Sequence, residues 1–185
     1  MLTLLVVPEV ASDEGRGRTP NNLGDAAGFW ALLMQAPCNA YEVELPWGRR
    51  YVAVCASVSV GDDELAKLSS ALPPGIILVR LRSPPDPCVL AVALTYVEED
   101  YAAGYSRLRN PSLQALLYLT NARQVSQAVE ASRGGSVIAV GASSGEALQE
   151  ALRPLKVSVP RPLPLPRCDP DLLEALTLHR LELIR

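Results

Sequence analysis

Asn110–Val140 reads NPSLQALLYLTNARQVSQAVEASRGGSVIAV, and the spacing of its apolar residues decides the fold class. Asn110 followed by Pro111 is a helix start, because the asparagine side chain accepts a backbone hydrogen bond and proline lacks the donor that a first turn leaves idle. This helix carries Leu113 to Leu119. A second start follows almost at once: Asn121 caps, Gln124 stands three residues later, and Val125, Ala128 and Val129 supply an apolar stripe. Thr120 is then the turn between two helices. Gly134 and Gly135 end the pair, and Ser136 to Val140 reads as a strand.

The same alternation extends on both sides. Tyr41 to Leu45 and Arg50 to Val60 are β-branched or alternate in polarity around Pro46, Trp47 and Gly48, which is a hairpin pattern. Asp62 or Asp63 caps a helix with Leu65, Leu68 and Leu72 at helical spacing, and Ile76 to Leu81 is a short apolar run that reads as a buried strand. Ser83 to Pro87 opens a helix reaching about Tyr105, with Leu90, Leu94, Val97 and Tyr101 along its inner face. Downstream, Glu146 to Leu152 is a helix. Val157 to Pro166 holds prolines at alternate positions, which bars it from a central strand and predicts an extended tether, densest over 160–168. Asp169 and Pro170 then start a terminal helix over 170–184. These elements predict an α/β (α+β) fold: one domain over 41–185, a central mixed sheet packed with helices. Residues 1–40 read as an added N-terminal element, with a strand at Leu2 to Val7, a loop over 8–22 and a short helix at Ala26 to Met34.

Composition narrows the function classes. With 49% apolar and 20% charged residues, a chain of 185 residues has enough apolar surface for one core and no disordered bulk. Its longest apolar runs fall short of the roughly 20 residues that cross a bilayer, so no membrane contact is expected. The apolar start has neither basic residues before it nor a small-residue cleavage site after it, so the expected location is intracellular and cytoplasmic. Cys38, Cys55, Cys88 and Cys168 are widely spaced, which reads as four buried thiols and no disulfide; with one histidine in the chain, no metal site and no cofactor are expected. A net charge of -3 confines any nucleic-acid contact to a local patch.

Three features bear on chemistry or binding. Gly141-Ala142-Ser143-Ser144-Gly145 fits G-x-S-x-G between a strand and a helix, and Asp169 or Asp171 with His179 follow in the order a serine hydrolase needs. Only 42 residues follow Ser143, too few for the strands that carry such an acid and base, so the alternative is that these residues turn the chain and cap a helix. Glu98, Glu99 and Asp100 form an acidic run that reads as a solvated face. Arg107, Arg109, Arg123 and Arg133 stand against the single acid Glu130, a basic patch near two helix starts, with Tyr105 or Tyr118 as a stacking face for a base. In the terminal helix, Leu172, Leu173, Leu176, Leu183 and Ile184 form one stripe while Leu178 and Leu181 face elsewhere, which predicts an exposed apolar patch for a protein partner.

Ser112 to Val129 resembles the signature of the kinase-binding subunit family of the KEOPS tRNA-modification complex. Asn110, the Leu117-Tyr118-Leu119 run and Arg123-Gln124-Val125 occupy the places of that signature, and the element order over Tyr41 to Arg185 is similar. The resemblance implies a non-catalytic subunit that docks on the small kinase-like ATPase of the complex, supports it, and helps recruit tRNA by its 3′ CCA end for threonylcarbamoyladenosine formation. By position, Leu176, Leu178, Arg180 and Leu181 would serve the kinase contact. Arg107, Arg109, Arg123 and Gln124 are the expected tRNA contacts.

Overall fold

A computed structural model describes residues 38–73, 75–106, 108–165 and 168–184. The strand, loop and helix expected within 1–37, and Arg107, lie outside the described residues.

Strand β1 (Cys38–Leu45) and strand β2 (Gly48–Cys55) form the expected hairpin around Pro46 and Trp47, with Leu45 opposite Gly48. Gly48 has φ 134°, a conformation side-chain-bearing residues avoid, so glycine closes this two-residue turn. Helix α1 (Asp62–Ala71) follows, then strand β3 (Ile76–Leu81) and helix α2 (Pro87–Ala103). Helix α3 (Pro111–Thr120) and helix α4 (Val125–Ser132) lead into strand β4 (Val137–Ala142). Helix α5 (Gly145–Leu152), a 3-10 turn, the short strand β5 (Leu163–Leu165) and helix α6 (Pro170–Leu183) complete the chain.

The five strands lie in the order β3-β4-β2-β1-β5. All pairings are antiparallel except β1 with β5, so the sheet is mixed, as the sequence predicts. Because side chains alternate along a strand, each of β1 to β4 feeds two cores. Val43, Val52, Ile77, Val79 and Ala139 face α2, α3 and α4; Ala40, Ala53, Leu78, Ile138 and Val140 face α5 and the inner side of α1. Central β4 is buried at all six positions. Helix α2 is buried on nearly every side, at Cys88, Leu90 to Val97 and Asp100, which explains why its apolar pattern lacks a clean polar face.

Helix ends follow the sequence signals in most places. Asp86 Oδ1 accepts from the Cys88 N–H at 2.7 Å, Asn110 Oδ1 from Ser112 at 2.9 Å, and Asp169 Oδ1 from Asp171 at 3.0 Å, each with proline in the first turn. Two expectations are corrected. Asn121 does not open α4: it takes a left-handed conformation (φ 53°) and closes α3, its N–H returning to the Leu117 and Tyr118 carbonyls. Gln124 precedes α4 without a side-chain cap. Likewise Gly61 stands at the start of α1, while Asp62 lies in the first turn and accepts from Arg80 Nη1 at 2.6 Å. The proline-rich tether docks its middle on the sheet as edge strand β5, where Pro164 has no N–H to contribute.

The cysteine expectation is also corrected, since all four are paired. Cys38 and Cys55 face each other across the hairpin, Cα atoms 4.0 Å apart. Cys88 in the first turn of α2 joins Cys168, just ahead of α6, across 80 residues. Partners 17 and 80 residues apart are set by strand register and by the return of the chain end, neither of which is visible in cysteine spacing. Closing the longer loop contributes about 4.5 kcal/mol in the chain-entropy picture.

Gly135, at the entry to β4, is where two backbones touch: a Cβ placed there would lie 2.2 Å from the Leu81 carbonyl oxygen. Gly135→Ala therefore has to push the β3 end away and is expected to lower stability by about 1–3 kcal/mol, read from the urea midpoint; an unchanged midpoint would show that this approach is not needed.

Candidate partner-binding site on the terminal helix

Helix α6 has two faces with different jobs. Its inner side buries Leu176 and His179 and packs Leu173 and Leu183 against the main core. Its outer side carries Leu178 at 57% and Leu181 at 46% exposure, one turn apart and flanked by exposed Glu174 and Glu182. Leu172, expected in the buried stripe, is instead 41% exposed, because it lies at the start of the helix where less of the core covers it.

The inner face is fixed by polar groups as much as by apolar ones. Asp100 on α2 has no solvent exposure. Arg180 Nε and Nη2 both donate to Asp100 Oδ1, at 3.0 and 2.7 Å, and Nη1 donates to Glu99 Oε2 at 2.6 Å. The other Asp100 oxygen accepts from the Tyr118 hydroxyl on α3, which accepts in turn from Gln114 Nε2 at 3.1 Å. The Arg180 guanidinium also stacks 4.3 Å from the Tyr96 ring centre, and the Tyr96 hydroxyl meets Thr177 Oγ1 at 2.6 Å. Three helices are thus tied through one carboxyl group. Burial, then the bond to Asp100, pushes the Tyr118 phenol far above its ordinary value. Burial alone would lower the Arg180 guanidinium, but its bonds to Asp100 and Glu99 raise it.

Of the residues expected to contact a kinase, Leu178 and Leu181 are therefore presented outward, whereas Leu176 and Arg180 point inward and hold the helix. The basic patch is divided. Arg109 lies before α3 and lines a cavity of about 770 Å³ with Glu98, Tyr101, Asn110 and Ser143. Arg123 lies past the other end of α3, a helix of ten residues or about 15 Å, where its Nη2 donates to Glu182 Oε2 at 2.8 Å beside Leu178. Gln124 is exposed next to it, and Arg133 pairs with Glu130 at 3.0 Å. Tyr118 is 2% exposed and so cannot stack on a base, while Tyr105 is 59% exposed.

No family model and no curated protein matches the chain.

The residues of the hydrolase alternative are engaged separately. The Ser143 N–H donates to the Gly75 carbonyl at 3.2 Å, and Ser144 caps α5 through the Ala147 N–H at 3.1 Å. His179 is buried with Nε2 3.3 Å from the Leu117 carbonyl, and Asp169 caps α6. Among the described residues, no hydrogen bond joins Ser143 to His179, or either of them to Asp169 or Asp171; the one bond within the set is the Asp171 N–H on Asp169 Oδ1 that caps α6. The acidic run is no solvated face: Asp100 is buried and Glu98 accepts from Arg50 Nη2 at 2.7 Å. No group of three His, Cys, Asp or Glu placed to hold a metal, and no helix long and apolar enough to cross a membrane, occurs among the described residues.

Sequence reasoning missed Tyr96, Gln114 and Thr177 and gave Asp100 and Tyr118 other roles, as part of a solvated face and as a stacking face. Their only signal was spacing, since Tyr96 and Asp100, like Gln114 and Tyr118, are four apart on one helix.

Arg180→Ala would leave a buried carboxyl group without its ion partner and is expected to cost about 3–5 kcal/mol in denaturant unfolding. Arg123→Ala, which breaks an exposed pair, should barely move the same midpoint. Equal effects would mean that the buried pair does not fix the helix. Because Tyr118 binds its proton more tightly in the folded state, the unfolded chain holds fewer protons once the pH exceeds its ordinary value of about 10, and stability must fall as pH rises further. Melting scans above that pH should show this slope, shallower in Tyr118→Phe.

Proposed function

We propose that the chain is a non-catalytic accessory subunit of the KEOPS complex, working in the cytoplasm. It binds and supports the kinase-like ATPase through the outer face of α6, and it helps recruit tRNA by the 3′ CCA end for threonylcarbamoyladenosine modification. The observation that carries this reading is the pair of exposed leucines, Leu178 and Leu181, on a helix whose opposite face is locked by Arg180 and Asp100. Apolar side chains displayed on a rigid support bind without a further ordering cost, which is what a docking face needs. The resemblance of Ser112 to Val129 names the partner. Leu176 and Arg180 act in this reading by supporting the helix.

The RNA half draws its support from Arg109 at a cavity lined also by the Tyr101 ring and Asn110, and from exposed Arg123 and Gln124. With a net charge of -3, such binding depends on local arginines and weakens with salt.

Leu178→Glu and Leu181→Glu should each weaken association with the kinase-like ATPase by about thirtyfold, as for a central apolar contact, while the circular dichroism melt of the isolated chain stays unchanged. Retained association would remove α6 from the interface. In a mobility shift, intact tRNA should bind better than tRNA trimmed of CCA, and Arg109→Ala should reduce the salt slope by about one. No shift at low salt would remove the RNA half.

A further inference from the structure

The two disulfides differ in what surrounds them. Cys38–Cys55 lies within the hairpin, with Cys38 8% and Cys55 0% exposed, so attack on either sulfur requires the sheet to open. Cys88–Cys168 joins separate elements: Cys88 is buried in the first turn of α2, while Cys168 is half-buried directly before Asp169, the residue that caps α6.

We propose that the Cys88–Cys168 bridge is a reducible strap that sets how firmly the start of α6 is held and, on the reading of α6 as the partner-binding helix, how well the chain binds its partner. The reductant is a dithiol, the class that keeps cytoplasmic thiols reduced. Its thiolate attacks Sγ of Cys168, the less buried residue of the pair, forming a mixed disulfide and expelling Cys88 as a thiolate. The reductant's second thiolate then displaces Cys168. Two electrons pass to the protein, the reductant leaves as a disulfide, and the two cysteine thiolates take up protons from water. Cys88 is the favoured leaving group because it stands at the second position of a 17-residue helix, where the N-terminal end stabilises negative charge. Asp86, whose carboxyl group accepts from the Cys88 and Val89 N–H groups, offsets part of that help.

Once the bridge opens, the first turn of α6 keeps the Asp169 cap and the Leu173 contact, the next keeps buried Leu176 and the Tyr96–Thr177 bond, and the far end keeps Arg180 on Asp100. A helix of 14 residues is marginal by itself, so losing its anchored start lowers the fraction of time that the whole face is formed.

The test uses the full chain, oxidised or treated with dithiothreitol, with alkylation mapped by mass spectrometry and amide exchange followed over 170–176. Cys88 and Cys168 should be alkylated first with Cys38–Cys55 intact, and exchange over 170–176 should rise about tenfold, both in the reduced chain and in Cys168→Ser. Affinity for the kinase-like ATPase should fall about fivefold on reduction. Earlier opening of Cys38–Cys55, exchange that is the same in both forms, or unchanged affinity would overturn the strap. If the oxidised chain has no affinity for the ATPase at all, the functional reading fails, and the exchange comparison still judges whether the bridge holds α6.

Discussion

The terminal half of the domain is arranged around a carboxyl group that water does not reach. An isolated buried charge would cost several kcal/mol, so Asp100 is tolerable only where its oxygens meet strong donors. Arg180 supplies them from α6 and Tyr118 from α3, while the Asp100 carbonyl accepts the Tyr105 and Ser106 N–H groups that end α2. Sliding α6 by one turn along α2 would separate Arg180 from both Asp100 and Glu99. Apolar packing would tolerate such a slide far better, since leucine against leucine has little register of its own. The polar network thus provides what the core cannot: one position for the helix, and therefore one place on the surface for Leu178 and Leu181.

That placement has a geometric consequence for any assembly. Arg123 and Glu182 pair beside Leu178, so the end of α3 and the outer face of α6 form a continuous surface. Arg109 opens onto the cavity at the opposite end of α3. Arg123 and Arg109 thus stand at opposite ends of α3, the first beside the outward leucines and the second at the cavity.

Much of the fold was legible because it rests on local signals. The alternation in Tyr41 to Cys55, the apolar runs of β3 and β4, and the caps at Asn110 and Asp169 specify their elements without reference to distant residues. Asn121 was misread because asparagine suits both a helix start and a left-handed helix end, and only the carbonyls it meets decide between them. Glu98, Glu99 and Asp100 look alike in sequence, yet successive helix residues point about 100° apart, so one of the three turns into the core. The cysteine pairs and the division of the arginines depend on how distant segments return to one another, which no local pattern encodes. For the candidate site, the outward leucines followed from helical spacing, but the support beneath them did not.

The two margins of the sheet are finished in unlike ways. At β3 the Leu78 N–H is taken by Ser112 Oγ at 3.0 Å, so a side chain occupies a group that another strand would want. At β5 the outermost rung includes Pro164, which offers no hydrogen there at all. A second molecule sliding alongside therefore meets, on each margin, a position where the ladder cannot simply be continued, which works against edge-to-edge stacking into ordered fibres.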